Sequence, residues 1–292
     1  MFLFHRALTA RPATPADQSA VSTLTRFEER VHVHLDWQSA EDWLGAQPFF
    51  VAERNQHLVG ALACPPAPPD TAWVRVFALQ GNISAAEVWQ LLWPLARHTL
   101  EGMGTEQIAG LSLDGWIDPL YLSAGFKLTH SVVVLNRAPT PAPHIDSPAR
   151  LRLATPDEHE TVIAVDTAAF RPPWQISAGV ARRALEQACC LTVAEMDHQI
   201  VGYQLTTPTA GGAHLSRLAV LPAWQGRSIG AALVADMIER CRQQGARQLT
   251  VNTQDTNAAS LTVYERLGFR RTGASYPVYQ LALKPGAAGV KS

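Results

Sequence analysis

The sequence is poor in charge and in cysteine, and it contains no long apolar run. Charged residues make up 17% of the chain and the formal net charge is −1. Neither nucleic acid nor a membrane surface is therefore an expected partner, because both require a basic excess. No stretch approaches the roughly 18 apolar residues of a transmembrane helix. The four cysteines show no disulfide spacing, and no residues are spaced as metal ligands. We expect a cytoplasmic protein that holds no metal.

Hydrophobic residues, by contrast, make up 47% of the 292 residues, and this length suits two domains. Residues 138–148 contain four prolines, which is typical of a semi-rigid linker. We predict a first domain over 1–137, the linker over 138–148, a second domain over 149–284, and a flexible tail over 285–292.

The two halves of the chain are related. Three segments recur in the same order at a nearly constant spacing: Arg11-Pro-Ala-Thr-Pro15 as Arg152-Leu-Ala-Thr-Pro156, Gln56-His-Leu-Val-Gly60 as His198-Gln-Ile-Val-Gly202, and Tyr121-Leu-Ser-Ala-Gly-Phe126 as Tyr264-Glu-Arg-Leu-Gly-Phe269. Each half shows a short strand, helical segments, a hairpin, a central strand (72–79 and 213–221), a long helix, a strand, a short helix and a closing strand. This order predicts two tandem domains of the α/β class, each a central mixed sheet flanked by helices.

A strand, a turn and a helix in the second half predict an anion site. The apolar run over 215–221 is ended by Pro222, which cannot donate to a ladder. Small and polar residues follow over 225–230, and apolar residues then recur at helical spacing. The turn therefore lies at a helix N-terminus, where backbone N–H groups lack partners and the helix dipole is positive. We expect a phosphate there.

A second motif follows about 25 residues later along the sequence. Residues 249–252 are predicted to form a strand, and Asn257 suits the N-cap of a short helix that Gly268 ends. Together, Gln225-Gly-Arg-Ser-Ile-Gly230 and the segment from Asn257 to Phe269 resemble the pyrophosphate loop and the following helix of the GNAT superfamily of N-acetyltransferases. Ser228 departs from that pattern, which has glycine at this position.

The resemblance implies acetyl-CoA as cosubstrate, bound in the second domain. The implied binding residues are Leu218, Ala219, Val220, Gln225, Gly226, Arg227, Ser228, Ile229, Gly230, Ala231, Asn257 and Ser260. Among these, residues 218–220 would act through backbone groups. In the first domain Ser84, Glu87 and Trp89 stand where Gln225, Ser228 and Gly230 stand in the second. A tryptophan would fill the space of the phosphate, so we expect that domain to be degenerate and not to bind the cofactor.

The tandem arrangement resembles the mycothiol synthase family, and the second domain resembles the ribosomal-protein alanine acetyltransferase branch. In that branch a Phe-x-x-Pro-Trp segment borders the acceptor, which implies substrate roles for Phe170, Arg171 and Trp174. A core position for Trp174 and a solvated Arg171 are the alternatives.

Acetyl transfer to an amine needs a proton donor and an amine that is neutral when it reacts. Tyr264 lies two helical turns beyond Asn257 and is the candidate general acid, with simple packing as its alternative. His214 is a candidate base, with Asn252, Asp255 and Glu195 as others; an amine that arrives neutral needs no base.

The expected activity is acetyl transfer to a primary amine of a small molecule, or secondly to a protein N-terminus. A non-catalytic acyl-CoA sensor and a pseudoenzyme that acts through protein partners are the alternatives. The sequence leaves association into a homodimer open.

Overall fold

The computed structural model describes residues 7–35 and 37–283, and the predicted tail over 285–292 lies outside the described residues. These residues divide into two compact units. The first contains the described residues up to Thr129 and those from Pro277 onward, and the second contains His130–Tyr276.

The first unit contains two groups of strands and three helices. Its strands β1 (Thr9–Pro12), β2 (Arg30–Val33), β3 (Phe49–Arg54), β4 (His57–Ala63) and β6 (Val76–Leu79) form an antiparallel sheet in the order β1-β3-β4-β6-β2. Strand β5 (Thr71–Trp73) pairs in parallel with β7 (Gln107–Leu111). The helices are α1 (Gln18–Phe27), α2 (Ala85–Gly102) and α3 (Asp118–Ser123).

The central strand predicted over 72–79 is two strands in the structure. The chain changes partner between them, because the N–H of Val74 donates to Ala109 of β7 and the N–H of Arg75 donates to Ala63 of β4. Continuous apolar sequence cannot show such a change of partner, since both strands are buried.

The second unit is one mixed sheet with helices on both faces. Its strands are β9 (Arg150–Leu153), β10 (Cys190–Met196), β11 (Gln199–Thr209), β12 (Gly212–Val220) and β13 (Gln248–Gln254). Its helices are α4 (His159–Ala169), α5 (Ala178–Glu186), α6 (Ile229–Gln243) and α7 (Ala258–Arg266). Strands β9 to β12 are antiparallel neighbours in the order β9-β10-β11-β12, and β12 pairs in parallel with β13. Apolar side chains of α6 and α7 pack on one face, and α4 bonds to β11 and β12 on the other.

Two long strands, β8 (Lys127–Arg137) and β14 (Arg270–Ala282), each have residues in both units. Strand β8 gives residues 132–137 to the second unit, where they pair with β13. Strand β14 gives residues 278–282 to the first unit, where they pair with β7. Each unit is thus completed by a closing segment from the other sequence half.

The compact units therefore differ from the domain bounds of 1–137 and 149–284 predicted from the sequence. Residues 138–148, predicted as a linker, lie inside the second unit. There Arg137 donates to the carbonyls of Ala138, Thr140 and Pro141, while Ala142 and Ile145 pack against the apolar cluster that contains α6. Proline content identifies a segment without regular structure, but it does not show what that segment packs against.

Both units begin with the same ion-pair network. Arg11 binds Asp17 and Glu53 in the first unit, with shortest distances of 2.7 and 2.8 Å. In the second unit Arg152 binds Glu158 and Glu195, with shortest distances of 2.6 and 2.8 Å. The repeated network joins the first strand, the start of the first helix and the hairpin, and it supports the tandem repeat inferred from the sequence.

Candidate functional site

A cleft of about 570 Å³ opens in the second unit where β12 and β13 stop pairing. Their parallel ladder runs from Gly212 to Leu215 on β12, and beyond it the two strands separate. Most of the predicted binding residues line this cleft: Phe170, Arg171, Trp174, Leu218, Ala219, Val220, Gln225, Gly226, Ser228, Ile229, Gly230, Ala231, Asn257 and Ser260. Arg227, His214 and Tyr264 are not among the lining residues.

The start of α6 forms one wall of the cleft. Ser228 is its N-cap, with φ +60°, and its side chain makes no capping hydrogen bond. The first helical bond recorded there runs from the N–H of Ala232 to Ser228, at 2.9 Å. The N–H groups of Ile229, Gly230 and Ala231 therefore have no acceptor within the helix. Helices α5 and α7, by contrast, are capped by the side chains of Ser177 and Asn257. An uncapped helix start such as that of α6 can bind an anion.

Glycine at two positions keeps this wall open. Gly226 has φ +74°, a backbone conformation that favours glycine. A Cβ atom on Gly230 would lie 3.8 Å from Val220 and 4.0 Å from Leu218, which is ordinary contact. The protein therefore has room for a Cβ atom at Gly230, and the absence of a larger side chain there leaves the cleft free.

Two side chains of the loop are engaged with the protein. The Gln225 side-chain amide donates to the carbonyl of Val220 at 3.0 Å. The Arg227 guanidinium lies 4.8 Å from the centre of the Trp224 ring, a cation–π contact. In this arrangement the loop offers backbone groups to the cleft, which suits a phosphate.

Strand β12 supplies the floor. Its pairing with β11 shifts between Arg217 and Leu215, so Ser216 is an extra residue in a β-bulge. Beyond the bulge Leu218, Ala219 and Val220 pair only with β11 in the recorded ladders. The backbone groups on their other edge are therefore open to a ligand, as the proposed acyl-CoA contacts require. The bulge could not be predicted from the apolar pattern.

Helix α7 forms the opposite wall. Asn257 accepts a hydrogen bond from the N–H of Ser260 at 3.1 Å and donates to the side chain of Gln254 at 3.3 Å. Both Asn257 and Ser260 also line the cleft, so the N-cap function and a place in the site coexist.

Tyr264 lies behind this wall. Its side chain is 4% exposed and packs against Phe269, with ring centres 5.9 Å apart. Burial raises the pKa of Tyr264 above its ordinary value of 10, and a hydrogen bond with Ser260 acts in the opposite direction. The phenol therefore stays protonated at neutral pH.

His214 lies outside the cleft lining, on the face of the sheet that carries α4. Its Nδ1 atom is 2.9 Å from the Thr250 hydroxyl and its Nε2 atom is 2.8 Å from Asn252 Oδ1. Because that amide oxygen can only accept, Nε2 carries the proton in the neutral ring and Nδ1 accepts from Thr250. Burial lowers the pKa of His214, opposed by the Asn252 hydrogen bond.

The other candidate bases are hydrogen-bonded to neighbouring groups of the protein. Glu195 accepts from Arg152 at 2.8 Å, and the Asp255 carboxylate accepts from the N–H of Ser131 at 3.1 Å. Neither Glu195, Asp255 nor Asn252 lines the cleft.

The cleft contains residues that the sequence analysis missed: Ala169, Pro172, Trp224, Gln254, Ala259, Val263 and Arg266. Ala259, Val263 and Arg266 follow the i, i+4, i+7 spacing of one helix face, so helical periodicity could have identified them. Arg171 and Arg266 are the charged residues of the lining, and no acidic residue occurs among the described residues that form it.

The corresponding region of the first unit is filled. Helix α2 begins at Ala85, and its N-cap Ser84 accepts from the N–H of Glu87, so the segment equivalent to the open loop is already helical. Trp89 is 2% exposed and packs against Phe77 and Trp93, with ring centres 5.1 and 5.4 Å apart.

The fold and the cleft define a tandem α/β protein whose second unit has an open helix N-terminus at the cleft. Within the described residues, no helix is long and apolar enough to cross a membrane, and no group of three or more potential metal ligands occurs.

Comparison with known proteins finds a family match in the second half of the chain. Residues 159–281 match the family model described as an acetyltransferase (GNAT) domain. This match covers most of the second half of the chain, and the GNAT resemblance inferred from its two motifs is confirmed.

Curated relatives share this domain. A candidate ribosomal protein bS18-alanine N-acetyltransferase of Bacillus subtilis (strain 168) is 22% identical over 117 residues, covering 40% of this chain and 78% of that protein. A mycothiol acetyltransferase of Amycolatopsis mediterranei (strain U-32) is 28% identical over 175 residues, covering 52% of this chain and 58% of that protein. The chain thus spans little more than half of the mycothiol acetyltransferase.

A solved structure extends the likeness to the whole fold. A tandem GNAT protein from the clavulanic acid biosynthesis pathway aligns with a TM-score of 0.64 at 16% identity, covering 96% of this chain and 99% of that one. The predicted tandem α/β fold is confirmed.

Proposed function

We propose that the second unit transfers an acetyl group from acetyl-CoA to the primary amine of a small molecule. The observation that carries the proposal is the uncapped start of α6, which presents the N–H groups of Ile229, Gly230 and Ala231 to the cleft. The match of residues 159–281 to the GNAT acetyltransferase domain supports the acyl-transfer reaction.

The residues present fit acetyl-CoA. In this proposal the loop over 225–231 binds the pyrophosphate, because its open donors and the helix dipole favour negative charge. Asn257, Ser260 and the free edge of 218–220 would hold the pantetheine arm. When bound, acetyl-CoA supplies the activated acetyl group.

The chain itself would handle the protons. We assign Tyr264 as general acid, because burial keeps the phenol protonated and because Tyr264 belongs to α7, the helix that forms one wall of the cleft. His214 is the candidate base, but its Nδ1 atom accepts from Thr250 in this structure. It could accept a proton only after that hydrogen bond is released, whereas an acceptor that arrives neutral requires no base.

The lining indicates the kind of acceptor. No acidic side chain lines the described cleft, while Arg171 and Arg266 do. A polycationic amine would meet like charge there without a compensating carboxylate. We therefore favour a small amine that is otherwise neutral or anionic, with a protein N-terminus as the second candidate acceptor.

We further propose that the first unit does not bind the cofactor. Its equivalent loop is helical, and Trp89, which aligns with Gly230 in the sequence repeat, is buried against other aromatic rings. Acetyl-CoA is then expected to bind at one site per chain.

Calorimetric titration of the full chain with acetyl-CoA, and then with free CoA, tests the proposal. We expect one site per chain, weakened about 100-fold or more in Gly230→Trp, whose indole would occupy the cleft. Gly230→Ala is the matched control, because its Cβ has room; it should weaken binding by less than about tenfold. Unchanged affinity in a folded Gly230→Trp variant would refute the phosphate-loop assignment. A panel of primary amines, with release of free thiol as the readout, then tests turnover.

The burial of Tyr264 favours one alternative, a non-catalytic acyl-CoA sensor. The phenol does not line the cleft, so it could serve only to pack α7. Acetyl-CoA binding without turnover on any amine in the panel would support the sensor, whereas thiol release that depends on an amine would exclude it.

A further inference from the structure

A buried carboxylate lies beneath the acceptor side of the cleft. Asp166, at the end of α4, is 2% exposed. It accepts from the Tyr203 hydroxyl and from two atoms of Arg217, Nε at 2.9 Å and Nη2 at 2.8 Å. Burying a carboxylate is costly unless it is paired and hydrogen-bonded, and here both conditions are met.

The same arginine holds the segment that follows α4. Its guanidinium carbon lies 3.7 Å from the centre of the Phe170 ring, and its Nη1 atom donates to the carbonyl of Trp174 at 3.2 Å. Phe170 and Trp174 both line the cleft. We call residues 170–174 the acceptor loop.

Arg217 belongs to the strand that floors the cleft. It directly follows the bulge at Ser216 and lies two residues before Ala219. One side chain, itself 10% exposed, thus joins the floor of the cleft, helix α4 and the acceptor loop. A planar guanidinium can do this because it donates in several directions and also stacks on an aromatic ring.

We infer that Arg217 is a positioning residue that fixes the acceptor loop relative to strand β12, so that Phe170 and Trp174 present the acceptor amine to the cleft. This inference rests on the proposed function. Asp166 and Tyr203 act through Arg217, since they fix the plane of its guanidinium.

The test is Arg217→Lys. Lysine keeps the charge opposite Asp166, but it loses the fork and the planar stacking on Phe170. We expect the Michaelis constant for the acceptor to rise about tenfold or more, because a loosened wall misplaces the amine. The kcat should change less than about threefold and the affinity for acetyl-CoA less than about twofold, since the phosphate loop is untouched.

Hydrogen exchange gives a second readout that needs no turnover. The amides of Phe170, Trp174 and Gln175 are hydrogen-bonded within this region, so they should exchange about tenfold faster in Arg217→Lys. Arg152→Lys is the matched control, because Arg152 makes a similar bidentate pair with Glu158 near the other end of α4. It should alter neither the acceptor constant nor the exchange of the loop.

A double variant allows the test to be made even if Arg217→Lys does not fold. Arg217→Met with Asp166→Leu removes both buried charges, which is often tolerated, yet it also releases the loop. If the acceptor constant and the loop amides stay unchanged in both variants, the positioning role is wrong.

Failure of the proposed function would show separately. Absence of acetyl-CoA binding or of turnover in the unaltered protein would refute the acetyltransferase proposal, while faster exchange of the loop in Arg217→Lys would still support the anchoring by Arg217.

Discussion

The Nε2 atom of His214 lies 2.8 Å from Oδ1 of Asn252, two residues beyond the point where Thr250 contacts the other ring nitrogen. Both nitrogens of the imidazole are therefore used inside the protein. A histidine held in this way is suited to joining β12 to β13 in its neutral form.

We predict that His214→Gln changes kcat/KM less than about threefold at pH 8, where the histidine is neutral in either role. Burial lowers the pKa of His214 below 6.5, so a base at this position would lose activity as the pH falls through that lowered value. The measurement is the pH profile of kcat/KM for both proteins. A loss of about 100-fold, together with disappearance of the acidic limb, would instead identify His214 as the base.

Tyr264→Phe is predicted to lower kcat about 100-fold, because it removes the proton that a general acid supplies. Affinity for acetyl-CoA should stay within about twofold, since the phenol does not line the cleft. Steady-state kinetics and calorimetry together measure both quantities. An unchanged kcat would show that Tyr264 is a packing residue.

Tyr121 is the natural control, because it holds the equivalent place in the first repeat. It is fully buried, and its hydroxyl has no hydrogen-bond partner among the described residues. Tyr121→Phe should therefore raise the free energy of unfolding by about 1 kcal/mol, as removal of an unsatisfied buried group does. Its activity should equal that of the unaltered protein. A fall in stability would indicate a partner for this hydroxyl.

Ser228 adopts the left-handed conformation, with φ +60° and ψ +3°, which costs a residue with a side chain about 1 kcal/mol or more. Glycine removes that strain but loses more entropy on folding, so Ser228→Gly should change stability by less than about 1 kcal/mol and preserve acetyl-CoA affinity. Ser228→Val should destabilise the protein by about 2 kcal/mol, because a β-branched side chain fits this conformation poorly. Denaturant unfolding compares the three proteins, and equal stability of the valine variant would contradict the assigned conformation.

Acid should weaken the Arg152 network. Hydrogen bonds from Arg152 lower the pKa of Glu158 from 4.5 to about 2. A lowered pKa in the folded state means that the stabilisation is present above about pH 4.5 and is lost as the pH falls toward 2. Glu158→Gln should therefore cost about 1 kcal/mol at pH 7 and progressively less below pH 4. Thermal unfolding between pH 7 and pH 3 measures this, with the neighbouring exposed Asp157→Asn as control. A constant difference at every pH would show that Glu158 does not stabilise through its charge.

The motifs of the site were predictable because they depend on local geometry. Pro222 ends β12 near the predicted position, Asn257 caps α7, and Gly268 has the positive φ of a helix end. Each feature follows from the conformations that one residue allows. The open start of α6 was predicted for the same reason, whereas its left-handed Ser228 was not, since few non-glycine residues adopt that conformation.

Contacts between residues far apart in the sequence could not be predicted. Asp166 and Arg217 are separated by 51 positions and meet because α4 packs against β12. The same holds for His214 and Asn252, whose contact requires the parallel register of β12 and β13. Neither pair leaves a spacing that a single sequence can show.

By itself the sequence determined the tandem repeat, the turn that begins α6 and the resemblance to a GNAT domain, because these depend on short segments whose φ and ψ preferences and spacing are local. Tertiary structure alone decided that the closing segments of β8 and β14 complete the opposite units, that Tyr264 is buried, and that Arg217 contacts the segment 170–174. Those features come from the pairing and packing of distant segments, where many partners are compatible with the same apolar pattern and the whole fold selects among them.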